Sequence, residues 1–182
     1  MCKFRDLTAD EIDVRVSTVI DTVSKKGVSL LLYKDARCDM NILDETVGSQ
    51  NWQREHYDCK GNLFCRVGIN VNWKDPNPMS AVWVWKSDCG TESNAEAQKG
   101  EASDSFKRAC FNWGIGRELY TAPFIFVKAE DCKIVDKNGK KACYDKFEVE
   151  KIRIENKRIT GLSIRNNSTG KRCFVYTQKS ES

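Results

Sequence analysis

The sequence predicts an α+β domain in which an antiparallel β-meander packs on a long central helix, in the order ααβββα, followed by a C-terminal β extension. Apolar residues recur at helical spacing in two N-terminal segments, and a third helical stripe lies in the middle of the chain. Short alternating runs bounded by turn residues follow the second and third stripes. We therefore predict a core domain at residues 1–130 and a basic, β-rich extension of the same domain at residues 131–182.

Two helices are predicted first. The first opens with the capping box Thr8-Ala9-Asp10-Glu11, continues with apolar residues at helical spacing and ends at Gly27. The second follows the short apolar segment 28–33, places three apolar residues on one face and ends at Gly48.

The middle and the end of the chain alternate between strand and helix signals. A hairpin and a third strand are predicted at residues 52–57, 63–73 and 81–86. A long helix is then predicted from about Asn94 to Leu119, with Gly114 and Gly116 kinking or ending it. The remaining strands are predicted at residues 124–127, 147–154, 158–164 and 173–177.

The composition is that of a globular chain, which we expect to be soluble and intracellular. Of the 182 residues, 40% are hydrophobic and 31% are charged. No apolar run approaches the ~18 residues that span a membrane, and we expect no signal peptide at the N-terminus. The nine cysteines include no Cys-x-x-Cys pair and His56 is the only histidine, so we expect plain thiols and no metal site.

The net charge of +4 conceals an asymmetry. Residues 133–182 contain 13 Lys+Arg and 6 Asp+Glu, whereas the rest of the chain is net acidic. A basic C-terminal third is typical of a protein that binds a polyanion, and equally of a solvated basic surface. An interaction module that docks an acidic protein partner is a further interpretation, and it stays open here.

Catalytic patterns are weak in this sequence. The Gly-x-x-x-x-Gly-Lys-Ser/Thr loop of nucleotide-binding proteins is absent, so we expect no ATP-driven step. Glu148, Glu150 and Lys151 could supply part of a metal-dependent nuclease site, but alternating charges are also typical of an exposed strand face. We predict no enzyme, no catalytic residue, no metal and no cofactor, and we keep the nuclease as an alternative.

Adjacent basic residues stand out on the predicted central helix. Phe106 and Ala109 belong to its apolar stripe, so Lys107 and Arg108 project from the flank of a packed helix. Basic side chains on rigid backbone can hold a row of phosphates. A solvated helix face, with the basic residues paired to carboxylates such as that of Asp104, explains the same spacing.

This helix resembles the signature of the Rad-fifty-two type single-strand annealing family. That signature is an Ala-x-x-Asp-x-x-Lys-Arg-Ala core, preceded by a basic residue and followed by an aromatic-Gly turn. The matching residues here are Lys99, Ala102 (one position off the commonest spacing), Asp104, Lys107, Arg108, Ala109 and Trp113-Gly114. The ending from Trp113 to Tyr120 is similar to the phage and prophage branch of the family.

A second block supports the resemblance. Tyr33-Lys34-Asp35-Ala36-Arg37 and the segment from Leu43 to Trp52 are similar to the family's helix-to-first-strand segment. The order of helix, β-meander and signature helix agrees as well. The resemblance covers roughly residues 27–127.

The resemblance implies a protein that binds single-stranded DNA in a positively charged groove and anneals complementary strands without ATP, in homologous recombination and DNA repair. It implies a homo-oligomeric ring or helical filament, with a single-strand binding protein or an exonuclease as further partners and no membrane association. The phage-like ending implies a phage- or prophage-encoded protein in the cytoplasm of a bacterial host. The residues implied to bind DNA are, from best to weakest match, Lys107, Arg108, Arg37, Lys99, Lys74 and Arg117, of which Arg117 is explained equally by helix capping.

The five tryptophans permit two interpretations. Aromatic rings can act as platforms on which bases stack, and they also dominate core and interface packing. Trp83 and Trp85 share one face of a predicted strand. We expect most of the tryptophans to pack in the core or in subunit interfaces.

Overall fold

The computed structural model describes residues 3–90 and 97–178, with side chains from residue 100 onward in the second part. Its internal contacts divide the chain into two compact units. Unit 1 comprises Met1–Arg5 and Ala36–Gly116, and unit 2 comprises Asp6–Asp35 and Arg117–Ser182. The division therefore places residues 6–35 and residues 117–182 in the same unit.

Unit 1 is a three-stranded antiparallel sheet with two α-helices. Helix α1 covers Ala36–Val47 and helix α2 covers Ala97–Trp113. The strands are β3 (Trp52–Cys59), β4 (Asn62–Asn70) and β5 (Trp83–Cys89), and β4 lies in the centre of the sheet. Val67 of β4 is paired with Arg54 of β3 and with Lys86 of β5. These three side chains therefore point to the same face of the sheet.

Unit 2 is built on a six-stranded antiparallel sheet with the order β11-β10-β9-β1-β2-β6. Its strands are β1 (Asp13–Asp21), β2 (Lys26–Tyr33), β6 (Ile125–Lys128), β9 (Phe147–Glu155), β10 (Arg158–Asn166) and β11 (Lys171–Thr177). A separate hairpin is formed by β7 (Ile134–Lys137) and β8 (Lys140–Cys143). The edge strands β11 and β6 contact each other, so the sheet curls toward closure.

The core of unit 2 lies on one face of this curled sheet. Val28, Val127 and Ile164 are fully buried there, in three different strands. Glu118 is also fully buried, and its Oε1 accepts a hydrogen bond of 2.7 Å from the backbone N–H of Leu7. A buried carboxylate needs such donors, because an unpaired buried charge is strongly destabilising.

The first predicted helix is wrong. Only one 3₁₀ turn, Ala9–Glu11, forms after Thr8, although the Glu11 carboxylate does accept a 2.9 Å hydrogen bond from the Thr8 amide. Strand β1 follows, and a β-bulge between Val16 and Thr18 inserts one residue in its pairing with β2. Because the bulge shifts the alternation by one residue, the apolar residues of β1 fall at positions that also fit a helix. The many β-branched residues of this segment favour a strand.

The predicted order ααβββα is consequently wrong at its start, because β1 and β2 precede α1 and the described residues contain two α-helices. The other main elements are confirmed: the second predicted helix is α1, the predicted meander is β3–β5 and the terminal strands are β9–β11. The prediction of antiparallel sheets is confirmed in all three sheets. Helix α2 ends at Trp113, where Gly114 has a φ of +93°. The β7–β8 hairpin was not predicted.

Within the described ranges, no helix has the length and the apolar character required to cross a membrane.

Candidate nucleic-acid interface

Helix α2 is fixed on one face of the unit 1 sheet. Phe106, Ala109 and Cys110 are fully buried against that face. The indole Nε1 of Trp113 donates a 3.0 Å hydrogen bond to the carbonyl oxygen of Val67 in β4, and His56 Nε2 lies 3.0 Å from the carbonyl oxygen of Ala102. Side chains on this helix therefore start from a rigid backbone.

Lys107 and Arg108 emerge beside the buried stripe of α2, as the sequence predicted. Both are half-buried. Arg108 Nε donates to Asp88 Oδ1 of β5 at 3.3 Å, and 39% of the Arg108 side chain stays exposed. Lys107 has no ion pair with any residue that the structure describes. The ion pair orients the guanidinium, whereas the ammonium of Lys107 is available to an external anion.

Strand β5 contributes a basic residue that the sequence reasoning missed. Lys86 Nζ donates a 2.8 Å hydrogen bond to the carbonyl oxygen of Asn112 and lies 4.6 Å from the ring centroid of Trp113. Lys86 and Asp88 share a face of β5 because they are two residues apart. That spacing was visible in the sequence, but only the sheet register shows that this face meets α2.

Arg37 and Lys99 also belong to unit 1. Arg37 is exposed in the first turn of α1, where it has interaction partners of its own. Lys99 falls within α2, but its side chain lies outside the described part of the helix.

Lys74 lies in the turn after β4 and is exposed. Its Nζ is 5.1 Å from the ring centroid of Trp73. The same turn borders an open hollow of about 670 Å³ that is also lined by Lys3, Thr46 and Asp75. Two ammonium groups and one carboxylate thus surround this hollow, which suits an anionic ligand better than a cationic one.

Arg117 belongs to unit 2, where it is exposed at the start of the 3₁₀ segment Arg117–Thr121. It has interaction partners within the structure. Of the six predicted DNA-binding residues, five therefore belong to unit 1 and one to unit 2.

The tryptophans divide between the two faces of the unit 1 sheet. Trp52 stacks on Phe106 of α2, and Trp113 packs on the same side. Trp83 and Trp85 lie on the opposite face, 37% and 36% exposed, with ring centroids 6.3 Å apart. This face carries an aromatic pair that is only partly covered.

The two glutamates of the alternative nuclease site are engaged with other side chains. Glu150 accepts hydrogen bonds from Arg172 and Arg165, which lower the pKa of its carboxyl to about 2. Glu148 Oε2 accepts a 2.8 Å hydrogen bond from Asn167 Nδ2. No group of three or more potential metal ligands occurs among the described residues, and two arginines on one carboxylate would compete with a metal ion.

All eight cysteines in the described ranges are free thiols. Burial raises the pKa of Cys65 to about 11 and that of Cys132 to about 12. Because the thiolate is the reactive form, these two groups are poor nucleophiles at neutral pH.

Comparison with known proteins identifies the family to which this sequence is similar. The model of a family described as "Rad52/22 family double-strand break repair protein" matches residues 11–138, a range that includes α1, the β3–β5 sheet and α2. A comparison with curated proteins found no match, and a comparison with solved structures found none either. Since the family match covers more than half of the 182 residues, the chain belongs to the Rad52/22 family of double-strand break repair proteins.

Proposed function

We propose that this protein binds single-stranded DNA and anneals complementary strands without ATP, with Lys107 and Arg108 on the path of the DNA backbone. The observation that carries the proposal is the family match across α2, combined with the fixed position of that helix on the sheet. A family of break-repair proteins must handle DNA strands, and α2 offers basic side chains on rigid backbone.

The electrostatics of α2 support contact with phosphates rather than with bases. Lys107 has no ion pair among the described residues, and Arg108 is oriented by Asp88 while remaining partly exposed. An exposed ion pair contributes at most about 1 kcal/mol. A phosphate can therefore replace or share the contact with Asp88 at little cost.

Annealing places a particular demand on such a surface. The phosphates must be neutralised while the base edges stay free to pair, so contacts to the backbone serve better than deep pockets for bases. In an oligomer, Lys107 and Arg108 of successive subunits form a continuous track along which the strand lies extended. The complementary strand then samples registers until base pairing stabilises one of them.

The proposal extends to the setting of the reaction. The chain acts as a ring or helical filament in the cytoplasm of a bacterial host and is phage-type, because the segment from Trp113 to Tyr120 is similar to the phage branch. A single-strand binding protein or an exonuclease is the partner that such a reaction requires, since something must protect or expose the single strands.

The test is annealing of two complementary fluorescent oligonucleotides with EDTA present and no nucleotide. Wild type is expected to accelerate annealing, and the Lys107→Ala/Arg108→Ala double variant to lose this activity. Each lost phosphate contact lowers the slope of log K against log salt by about 0.7 on single strands, so anisotropy titrations at several salt concentrations measure how many contacts disappear.

Lys60→Asn is the matched control. Lys60 is an exposed lysine of the same unit, in the β3–β4 turn, and its φ of +56° is a conformation that asparagine adopts readily. The control is expected to anneal like wild type. A folded double variant that binds and anneals DNA like wild type contradicts the proposed track. Cleavage that appears when Mg²⁺ replaces EDTA supports the nuclease instead, and retention of an acidic protein without DNA binding supports an interaction module.

A further inference from the structure

The outer surface of strands β9, β10 and β11 in unit 2 contains a shallow basic hollow. It has a volume of about 380 Å³, and its charged lining residues are Lys151, Arg153 and Arg172. No acidic residue lines it. The hollow lies beyond residue 138, where the family match ends, so family membership does not assign a role to it.

The three basic residues come from different strands but share one face. The β9–β10 register pairs Lys151 with Ser163 and Arg153 with Gly161. Gly161 carries no side chain, and the side chain of Arg153 lies over it, with its Cβ 3.3 Å from the position that a Cβ of residue 161 would take. The register therefore brings cations together that are up to 21 positions apart in the sequence.

Two of the cations are held in place by the protein itself. Arg153 Nε donates to Thr160 Oγ1 at 3.0 Å, and its Nη2 donates to the Thr160 carbonyl oxygen at 3.3 Å. Arg172 donates through Nε and Nη2 to the carboxylate of Glu150. In each guanidinium the second terminal nitrogen, Nη1, makes no such contact within residues 3–90 and 97–178, so these contacts orient the group without using all of its donors.

The remaining features of the hollow are an exposed lysine, Lys151, and the hydroxyl of Ser163. Lys151 is exposed and forms no ion pair within the described part of the chain. Ser163 is 8% exposed, and its Oγ has no hydrogen-bond partner among the residues that the structure describes. Buried hydroxyl groups normally form hydrogen bonds. The Ser163 hydroxyl, which lines the basic hollow, is therefore available to hydrogen-bond with a ligand.

We propose that this hollow binds a phosphate of the single-stranded DNA backbone and so provides a second DNA contact, in unit 2. The inference rests on the proposed function, because a phosphodiester is the anion that this function brings to the protein. Oriented guanidinium groups match phosphate oxygens geometrically, and Lys151 adds a charge that can move to the ligand. Lys151 is paired with Ser163 across β9 and β10, so a phosphate held by Lys151 lies next to the Ser163 side chain.

The experiment measures binding of a labelled oligothymidine by anisotropy over a series of salt concentrations. Lys151→Gln is expected to weaken binding and to lower the slope of log K against log salt by about 0.7. Ser163→Ala is expected to weaken binding at every salt concentration while leaving the melting temperature of the free protein unchanged or higher, because the hydroxyl forms no hydrogen bond within the described part of the chain.

The matched control is Lys140→Gln. Lys140 is an exposed lysine of the same unit, in the β7–β8 hairpin, and has no ion pair among the described residues. It is expected to bind DNA with the affinity and salt slope of wild type. An equal loss in Lys140→Gln and Lys151→Gln indicates a general effect of net charge and contradicts the site.

The outcomes separate this inference from the proposed function. If wild type binds DNA and both Lys151→Gln and Ser163→Ala bind it equally well, the inference fails and the proposed function stands. If wild type binds no DNA, both fail. A titration with inorganic phosphate, followed through the amide resonances of β9–β11, is expected to shift the Ser163 amide in wild type and not in Lys151→Gln. If a polyglutamate peptide shifts that amide and DNA does not, the site binds carboxylates, and the inference is overturned.

Discussion

The two units hold their basic residues in different ways. On α2 of unit 1, Lys107 and Arg108 are sequence neighbours; an ion pair of 3.3 Å joins Arg108 to Asp88, whereas Lys107 has no ion pair among the described residues. On the β9–β11 surface of unit 2, Arg165 and Arg172 share the single carboxylate of Glu150. The difference teaches that the basic residues of unit 1 depend on a buried helix contact, whereas the arrangement of Arg165 and Arg172 in unit 2 depends on the ionisation of one acid.

The first prediction concerns the support of the unit 1 surface. Phe106→Ala removes a fully buried ring that stacks on Trp52 and lies under the guanidinium of Arg54 at 4.8 Å. We expect the free energy of unfolding to fall by about 3–5 kcal/mol, measured by chemical denaturation. Hydrogen exchange should show the amides of α2 losing protection first.

Phe106→Leu is the conservative comparison, since it leaves a smaller cavity and should cost less. If Phe106→Ala lowers stability no more than Phe106→Leu does, the ring is not the support that we infer, and the rigidity of α2 has another source.

The second prediction concerns the open face of the same sheet. Gly68 lies beneath Trp85, and a Cβ at Gly68 would come within 2.8 Å of the indole ring. Gly68→Ala must therefore displace Trp85, whose ring also has the guanidinium of Arg66 over it, 4.7 Å from the centroid. We expect a loss of about 1–3 kcal/mol and a change in tryptophan fluorescence.

A double variant tests the cause of that loss. In Trp85→Leu the indole is gone, so the added methyl of Gly68→Ala should cost less than it does in wild type, and the two changes should be non-additive. Additive effects would show that the cost arises from the backbone of β4 instead.

The third prediction, with the smallest expected effect, concerns the pH dependence of stability that arises from Glu150. Hydrogen bonds from Arg172 and Arg165 lower the pKa of Glu150 from 4.5 to about 2 in the folded protein. A carboxyl group whose pKa is lowered by folding stabilises the protein above its unfolded pKa. This contribution is lost as the pH falls from about 4.5 to about 2. We expect melting temperatures to fall through this window in wild type and to fall less steeply in Glu150→Gln.

The matched control for this titration is Glu155→Gln, which removes an exposed carboxylate of the same strand that lies 3.6 Å from Arg153. Its melting temperature should follow the wild-type curve more closely than that of Glu150→Gln does. Parallel curves for wild type and Glu150→Gln would mean that the arginines of β10 and β11 do not depend on this acid, and the contrast between the two units would disappear.

Much of unit 1 was predictable because its signals are local. The apolar stripe of α2, the hairpin turn after Cys59 and the adjacent pair Lys107–Arg108 are all contained in short stretches of sequence. The contact between Arg108 and Asp88 was not predictable, since it depends on the register between β4 and β5 and on which face of β5 meets the helix.

The sequence by itself determined α1, the β3–β5 meander, the terminal strands and the family signature on α2, because each depends on the periodicity of neighbouring residues. Only the tertiary structure decided that residues 13–21 form a strand, since a bulge there gives apolar residues a spacing that a helix shares. It also decided that Lys151, Arg153 and Arg172 meet in one hollow. Pairing between strands that are distant in sequence depends on which strand edges are free and on the register of the pairing. Neither can be read from a short segment of sequence.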